Sequence, residues 1–397
     1  MLFVEAKRDT RKCVIICRNI PLVHARENGS HSSYSRELEM ILFCVSLPGR
    51  FGDWCDAVIG RLAETVLGHV VATGANTAEE LASELVKTDG QHFYVGSRHP
   101  SRWLREKLAE NNRKVVVALD DPRYAVRDLI VRHNLELPEA TRRVASSCAS
   151  MTRFIGLSDA HVVSAERDWR NPAVTIAAMA DHFGLVVASK DIEAIAAELA
   201  AAGLEPNSDP GESWSAQLPE PSLAVINGAL APYAEFFLGG SLGQITWGRE
   251  LFLEEHHQAA SHPIDLSGPI RYLIYGPYIA LPPGNWAAEL LLGFSEDTVN
   301  TGFRVEVWAG SQLNTASINP PHAGVFPVNV GFVVEEANDN LAEIRVLNER
   351  AAIYGRLVLG HATLTLRHDV SDAVLDTLRT ELGLTPVASG SPPQNRS

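Results

Sequence analysis

The sequence predicts an α/β domain built on a parallel sheet, followed by an antiparallel β-sandwich. Three observations carry this expectation. Residues 41–45, ILFCV, form a short apolar run that enters a turn containing Pro48, Gly49 and Gly52, and helical periodicity follows at once from Trp54. Residues 115–119, VVVAL, are β-branched and unbroken, as a strand buried on both faces must be, and they stop at Asp120-Asp121-Pro122. Beyond Ile270 helical patterning gives way to short, regularly spaced strands with partial alternation.

Taken in order, residues 1–38 contain the polar tract ENGSHSSYSRE and are expected to form a poorly ordered extension. An α/β domain is expected over 39–204. Its first strand is followed by a helix over 55–67, and then by a capped helix over 77–86 with Thr77 and Glu80 at its start. A strand at 92–95 leads through GSRHP into a helix opening near Ser101. Strand 115–119 is followed by helices reaching about Phe154, the first with Pro122 near its first position. Strand 160–164 precedes a helix over 172–183 that Gly184 ends, and an alanine-rich helix over 192–202. Residues 205–268 read as a linker, PNSDPGESWSAQLPEPSL, and a bridging helical segment. The sandwich is expected over 269–368, with strands at 271–275, 286–294, 303–308, 325–334, 341–347 and 356–366. A terminal helix over 372–383 and a disordered tail complete residues 369–397.

Charge and cysteine usage narrow the function. The chain of 397 residues carries a formal net charge of −14, which argues against a nucleic-acid binder because a polyanion needs clustered Lys and Arg. Five cysteines at 13, 17, 44, 55 and 148 include no CxxC pair and fit a reducing cytoplasm. No run approaches the roughly 20 apolar residues of a membrane span, so any membrane association is expected to be peripheral. His256 and His257 are adjacent and would point to different faces, so no metal site is assigned. Neither G-x-x-x-x-G-K-[ST], G-x-G-x-x-G nor G-x-S-x-G occurs.

A strand, a glycine loop and a helix N-terminus at residues 41–57 bring backbone N–H groups and a helix dipole to one point, an arrangement that suits an anion. The plain alternative is an ordinary βα turn with Asp53 as helix N-cap and Arg50 paired to Asp53 or Asp56. His99, with Arg98 beside it after a strand, has the chemistry of a base with a neighbouring cation; otherwise it is a surface histidine. Tyr272, Tyr275, Tyr278, Trp286, Trp308 and Tyr354 offer an aromatic platform for sugar rings, or ordinary cross-strand packing.

Four segments in order resemble the sulfotransferase family, whose P-loop-like fold binds 3′-phosphoadenosine 5′-phosphosulfate. Leu47 with Pro48, Gly49, Arg50, Phe51, Gly52, Asp53 and Trp54 resembles the family's loop for the 5′-phosphosulfate. Ser97, Arg98, His99 and Pro100 resemble the element bearing its base. VVVALDDPRYAVRDLI resembles the strand and loop that hold the 3′-phosphate, and VVSAERDWRNPAVTIAAMADHFGL a closing region of many bacterial members. The resemblance implies His99 as base, assisted by Arg98, and residues 48–54 with Arg123 and Arg127 around the co-substrate. Asp120 stands where the family has its first 3′-phosphate arginine, Asp128 near its serine, and Asp53 replaces a hydroxyl residue. YGPYIALPPGNW resembles β-sandwich modules found beside polysaccharide-synthesis enzymes. The implied activity is sulfuryl transfer, without a metal, to a saccharide or glycolipid in cell-surface polysaccharide synthesis. The alternative is a non-catalytic saccharide-binding or scaffold protein with a decayed nucleotide site.

Overall fold

The computed structural model describes residues 40–87, 92–204, 218–260, 263–336 and 340–367. The expected extension over 1–38, most of the linker, the helix over 372–383, the tail, and Cys13 and Cys17 lie outside the described residues.

Five parallel strands form the first sheet in the order β2-β3-β1-β4-β5: β1 Met40–Ser46, β2 Val71–Gly74, β3 His92–Ser97, β4 Val115–Leu119 and β5 Ala160–Ser164. Central β1 alternates between two cores, which is why its apolar run shows no period of two. Phe43, Val45 and Leu47 face one core with Val115, Val117 and Leu119. That core is covered by helices α3 (Arg102–Glu110), α4 (Pro122–His133), α5 (Leu137–Ile155) and α9 (Glu220–Phe237). Leu42 and Cys44 face the other core with Val116 and Ala118, covered by α1 (Arg50–Leu67), α7 (Pro172–Phe183) and α8 (Ser189–Ala201). Short helices α2 (Ala78–Lys87) and α6 (Ala165–Asp168) complete this part. At α2 the Glu80 N–H donates to Thr77 Oγ1 at 3.2 Å and the Thr77 N–H to Glu80 Oε2 at 3.3 Å, the reciprocal cap that the sequence pattern predicts.

Two expectations are corrected here. Helix α1 opens at Arg50, not near Trp54, because Gly49 turns the chain at φ +133° and its carbonyl accepts the Asp53 N–H at 2.9 Å. Residues Phe51 to Trp54 are therefore the first turn of a helix rather than a loop. The edge strand β2 was not expected; its side chains alternate between half-buried and exposed and carry little apolar signal.

The remaining chain forms two antiparallel sheets. One has the order β13-β10-β15-β6 with β7 also on β15, and the other β12-β11-β14-β8 with β9 also on β14. Their strands are β6 Ile245–Gly248, β7 Ile264–Asp265, β8 Tyr272–Ile274, β9 Pro277–Ile279, β10 Gly284–Phe294, β11 Phe303–Ala309, β12 Ser311–Ile318, β13 Gly324–Val334, β14 Ala342–Asn348 and β15 Arg356–Arg367. Alternate residues such as Leu290, Leu292, Val305, Val307, Ile344 and Leu359 fill the space between the sheets. The expected start of this region at 269 moves earlier, because β6 and β7 pair with β15. Strand β12 escaped the sequence reading because it is a polar, largely exposed edge.

Helix α9 joins the two parts. The apolar cluster on its side of the parallel sheet runs on through Val225, Ala229, Leu230 and Tyr233 to Trp247 on β6 and the sandwich interior. Trp247 is fully buried and meets Phe252 edge-on at 6.4 Å. Replacing Trp247 with Ala is expected to cost about 3–5 kcal/mol of stability, measured as a shift in urea midpoint.

Candidate functional site

The carboxyl ends of β1, β3, β4 and β5 lie on one edge of the parallel sheet, where open α/β sheets present their ligand crevices. A cleft of about 1290 Å³ opens there beside β1, β4 and β5. Its walls come from Arg50 on α1, Asp120 to Arg132 on and before α4, Ser164 to Arg170 after β5, Ala202 to Leu204 after α8, and Ala231 to Leu238 at the end of α9. Five arginines and five carboxylates line it, so its charge is mixed rather than cationic.

Arg98 holds the loop end of this edge together. One guanidinium nitrogen donates to the Leu47 carbonyl at 3.1 Å and to Ser46 Oγ; the other donates to Asp53 Oδ1 at 2.9 Å and Asp56 Oδ2 at 2.5 Å. The glycine at 52 is required by this contact, since a Cβ there would stand 2.0 Å from Arg98 Nη1 and 2.5 Å from the Leu47 oxygen. Asp53 is neither an N-cap nor a partner of Arg50; it binds Arg98 and, through Oδ2, Arg132 at 2.6 Å. Asp56 also accepts from the Tyr94 hydroxyl, and burial raises its carboxyl above the ordinary range while Arg98 opposes that rise.

The other predicted residues separate. Phe51 and Trp54 stack at 5.8 Å and are buried, which removes their side chains from any donor contact. Pro48 and Gly49 form the turn. Arg50 lines the cleft and donates to the Gly203 carbonyl at 2.5 Å. Arg123 lines it as well, but its guanidinium is held by Asp121 through contacts of 2.9 Å. Arg127 lines the cleft, half-buried, and has no ion-pair partner among the described residues.

His99 lies outside the cleft lining, at the end of β3. Its ring binds Ser147 Oγ on α5, and its backbone N–H donates to Asn76 Oδ1 at 2.9 Å. Asn76 also accepts from Ser97 Oγ at 2.8 Å and the Arg98 N–H at 3.1 Å, so one amide oxygen shapes the whole turn. Burial first, then Arg143, lowers the His99 pKa and favours the neutral ring.

Sequence reasoning missed Asn76, Ser46 and Ser147, none of which carries a local motif, and named Asp56 only as a partner for Arg50, whereas it binds Arg98. It flagged Asp120 as a departure. That carboxyl sits at the cleft where β4 ends, its Oδ1 accepts the Asp121 N–H at 2.8 Å, and burial pushes it up to about 7. The cysteines Cys44, Cys55 and Cys148 are buried, which raises their thiols and makes them inert.

On the sandwich, Trp286 is a core residue donating to the Pro282 carbonyl at 2.9 Å, whereas Tyr354 is exposed and apart. Tyr272, Tyr278 and Trp308 come together on one outer face around Arg345, whose guanidinium lies 4.3 Å from the Trp308 ring centroid and 5.4 Å from that of Tyr272. Glu306 and Glu343 underlie them, accepting from Trp308 Nε1 at 2.9 Å and the Tyr278 hydroxyl at 3.0 Å. His257 binds the Tyr275 hydroxyl at 3.1 Å. Among the described residues no group of three or more His, Cys, Asp or Glu could hold a metal ion, and no helix is long and apolar enough to cross a membrane.

No protein-family model matches the chain, and comparison with curated proteins returns no match. Solved structures similar to it include the mouse sulfotransferase SULT7A1 complexed with PAP, at 14% identity and TM-score 0.33, covering 45% of this chain and 70% of that one. They also include the CBM36-1 domain of a xylanase from the hindgut metagenome of Trinervitermes trinervoides, at 9% identity and TM-score 0.22, covering 32% and 98%. A third is the C-terminal CBM6 of LamC from Zobellia galactanivorans, at 13% identity and TM-score 0.21, covering 31% and 98%. Each is a likeness of build at low identity.

Two outcomes test the electrostatics of this edge. Arg98→Met leaves Asp53 and Asp56 without their shared cation and is expected to cost about 2 kcal/mol, with Asp56→Asn in that background restoring part of it in urea melts. Asp120 has a folded-state pKa above its ordinary 3.8, so its protonated form adds stability in full below about pH 4 that is lost as pH rises through about 7. Asp120→Asn should therefore raise Tm by a few degrees at pH 8 and by nothing measurable at pH 4.

Proposed function

We propose that the chain transfers a sulfuryl group from an adenosine phosphosulfate, in the family's form 3′-phosphoadenosine 5′-phosphosulfate, to a hydroxyl of a saccharide or glycolipid in cell-surface polysaccharide synthesis. The observation that carries this reading is the 1290 Å³ cleft at the carboxyl edge of the parallel sheet, with Arg50, Arg123 and Arg127 on its walls and the first turns of α1 and α4 beside it. In this reading the acceptor oxygen attacks sulfur, the bond from sulfur to the 5′-phosphate oxygen breaks, and the acceptor proton passes to His99. That transfer requires the acceptor to approach from the β3 side, because His99 stands outside the cleft lining with its ring on Ser147. A neutral His99 at pH 7 suits that role. Arg98 acts on the loop rather than on the donor, because four acceptors already engage its guanidinium. The cluster of Tyr272, Tyr278 and Trp308 supplies a surface for the saccharide.

A second reading, a non-catalytic saccharide-binding protein, is favoured by one specific feature: a cation of the chain itself, Arg98, packs against the first turn of α1, tight enough to require glycine at 52. Calorimetry of the intact protein with 3′-phosphoadenosine 5′-phosphate separates the two. Binding in the micromolar range is expected; no heat at millimolar nucleotide would remove the 3′-phosphorylated donor, and no heat with adenosine 5′-phosphate either would leave the second reading. His99→Ala should reduce transfer at least a hundredfold while nucleotide affinity stays within twofold of the parent; a large loss of affinity would remove His99 from the role of base.

A further inference from the structure

The cleft side chains that remain without partners define the ligand more closely than the cleft's size does. Half of the ten charged side chains there are already engaged: Arg123 with Asp121, Arg132 with Asp128 and with Asp53 beyond the lining, and Arg50 with the Gly203 carbonyl. The carboxylates of Glu166 and Glu235 are exposed and have no partner among the described residues. Asp120 differs from these two in being half-buried where β4 ends, and beyond the Asp121 N–H no other protein group among the described residues donates to its carboxyl. Arg127 and Arg170 line the same cleft without an ion-pair partner among the described residues. Trp169, also on the lining, keeps a buried indole N–H with no acceptor. A ligand that satisfies these groups together needs an anionic group for the two arginines and, at a separate point, hydroxyl donors for the carboxyl.

Resting on the reading that this cleft holds the nucleotide donor, we propose that it takes a nucleotide with free ribose hydroxyls, a nucleoside 5′-phosphate or 5′-phosphosulfate, with Asp120 accepting from a ribose hydroxyl and Arg127 and Arg170 meeting the 5′ anion. A carboxylate accepts from a hydroxyl and repels a phosphate ester in the same place. Dinucleotide-binding folds use the same choice, an acidic residue for a free ribose hydroxyl and an arginine for its phosphate. Asp128 on the next turns of α4 adds to the negative charge on that wall.

The test compares two ligands that differ only in the 3′ substituent, adenosine 5′-phosphate and adenosine 3′,5′-bisphosphate, by titration calorimetry on the full chain. The 5′-phosphate is expected to bind at least tenfold more tightly, and Asp120→Asn to bring the ratio within threefold. 3′-Deoxyadenosine 5′-phosphate gives an independent measurement on the unaltered protein and is expected to bind about tenfold more weakly than adenosine 5′-phosphate. Binding of the bisphosphate as tightly as the monophosphate, or equal affinity for the deoxy compound, overturns the inference and leaves the donor of the preceding section standing. Binding of the monophosphate alone supports the inference and removes only the 3′-phosphorylated donor. No binding of any of them overturns both.

Discussion

The ion-pair network of Arg98 is the interaction on which the carboxyl edge of the parallel sheet depends. A single guanidinium, reaching from the end of β3, gathers the end of β1 through Ser46 and Leu47 and the first turns of α1 through Asp53 and Asp56. β1 and α1 follow one another in the chain, but Arg98 lies 42 to 52 positions beyond the groups it binds. Partial burial strengthens each contact by lowering the local dielectric, and it makes an unpaired carboxylate correspondingly costly. Gly52 and Asn76 are consequences of this arrangement, the first leaving room for the guanidinium and the second fixing the backbone from which Arg98 and His99 depart.

Chemically, the same network divides the edge in two. On the β3 side the polar groups satisfy one another: Arg98 with its acceptors, and His99 with Ser147. Toward β4 and β5 the surface is open, and its charged groups without an ion-pair partner among the described residues are Asp120, Arg127, Glu166, Arg170 and Glu235. The sandwich has a comparable internal economy, with Glu306 and Glu343 buried beneath Tyr272, Tyr278, Trp308 and Arg345. Tyr278 adopts φ +63°, a left-handed conformation that a bulky side chain rarely takes, and its hydroxyl is held by Glu343.

Much of the architecture was legible in the residues because it rests on local physics. The unbroken run 115–119 could only suit a strand covered on both sides, and Gly184 could only end a helix where φ is positive. What was not legible depended on long-range contacts. Strand β12 has the polar composition of a loop and becomes a strand only because β11 lies beside it. Phe51 and Trp54 carried no mark distinguishing a ligand-facing aromatic from a buried one; the difference lies in Trp169, more than a hundred residues away, which packs on Phe51 at 5.4 Å. The role of Arg98 was invisible for the same reason, since its acceptors are 42 to 52 positions distant in the chain.

Helix α9 contributes to the cleft as well as to the core. Its last turns form one wall of the cleft, and its middle lies so close to β6 that a Cβ at Gly228 would stand 2.9 Å from the Thr246 carbonyl oxygen. Pro232 and Tyr233 are buried against the same cluster. One helix thus serves both parts, with Pro232 interrupting its hydrogen-bond ladder between the contact with β6 and the turns that line the cleft. A wall of the crevice in the first part of the chain is therefore built on a helix that the second part holds in place.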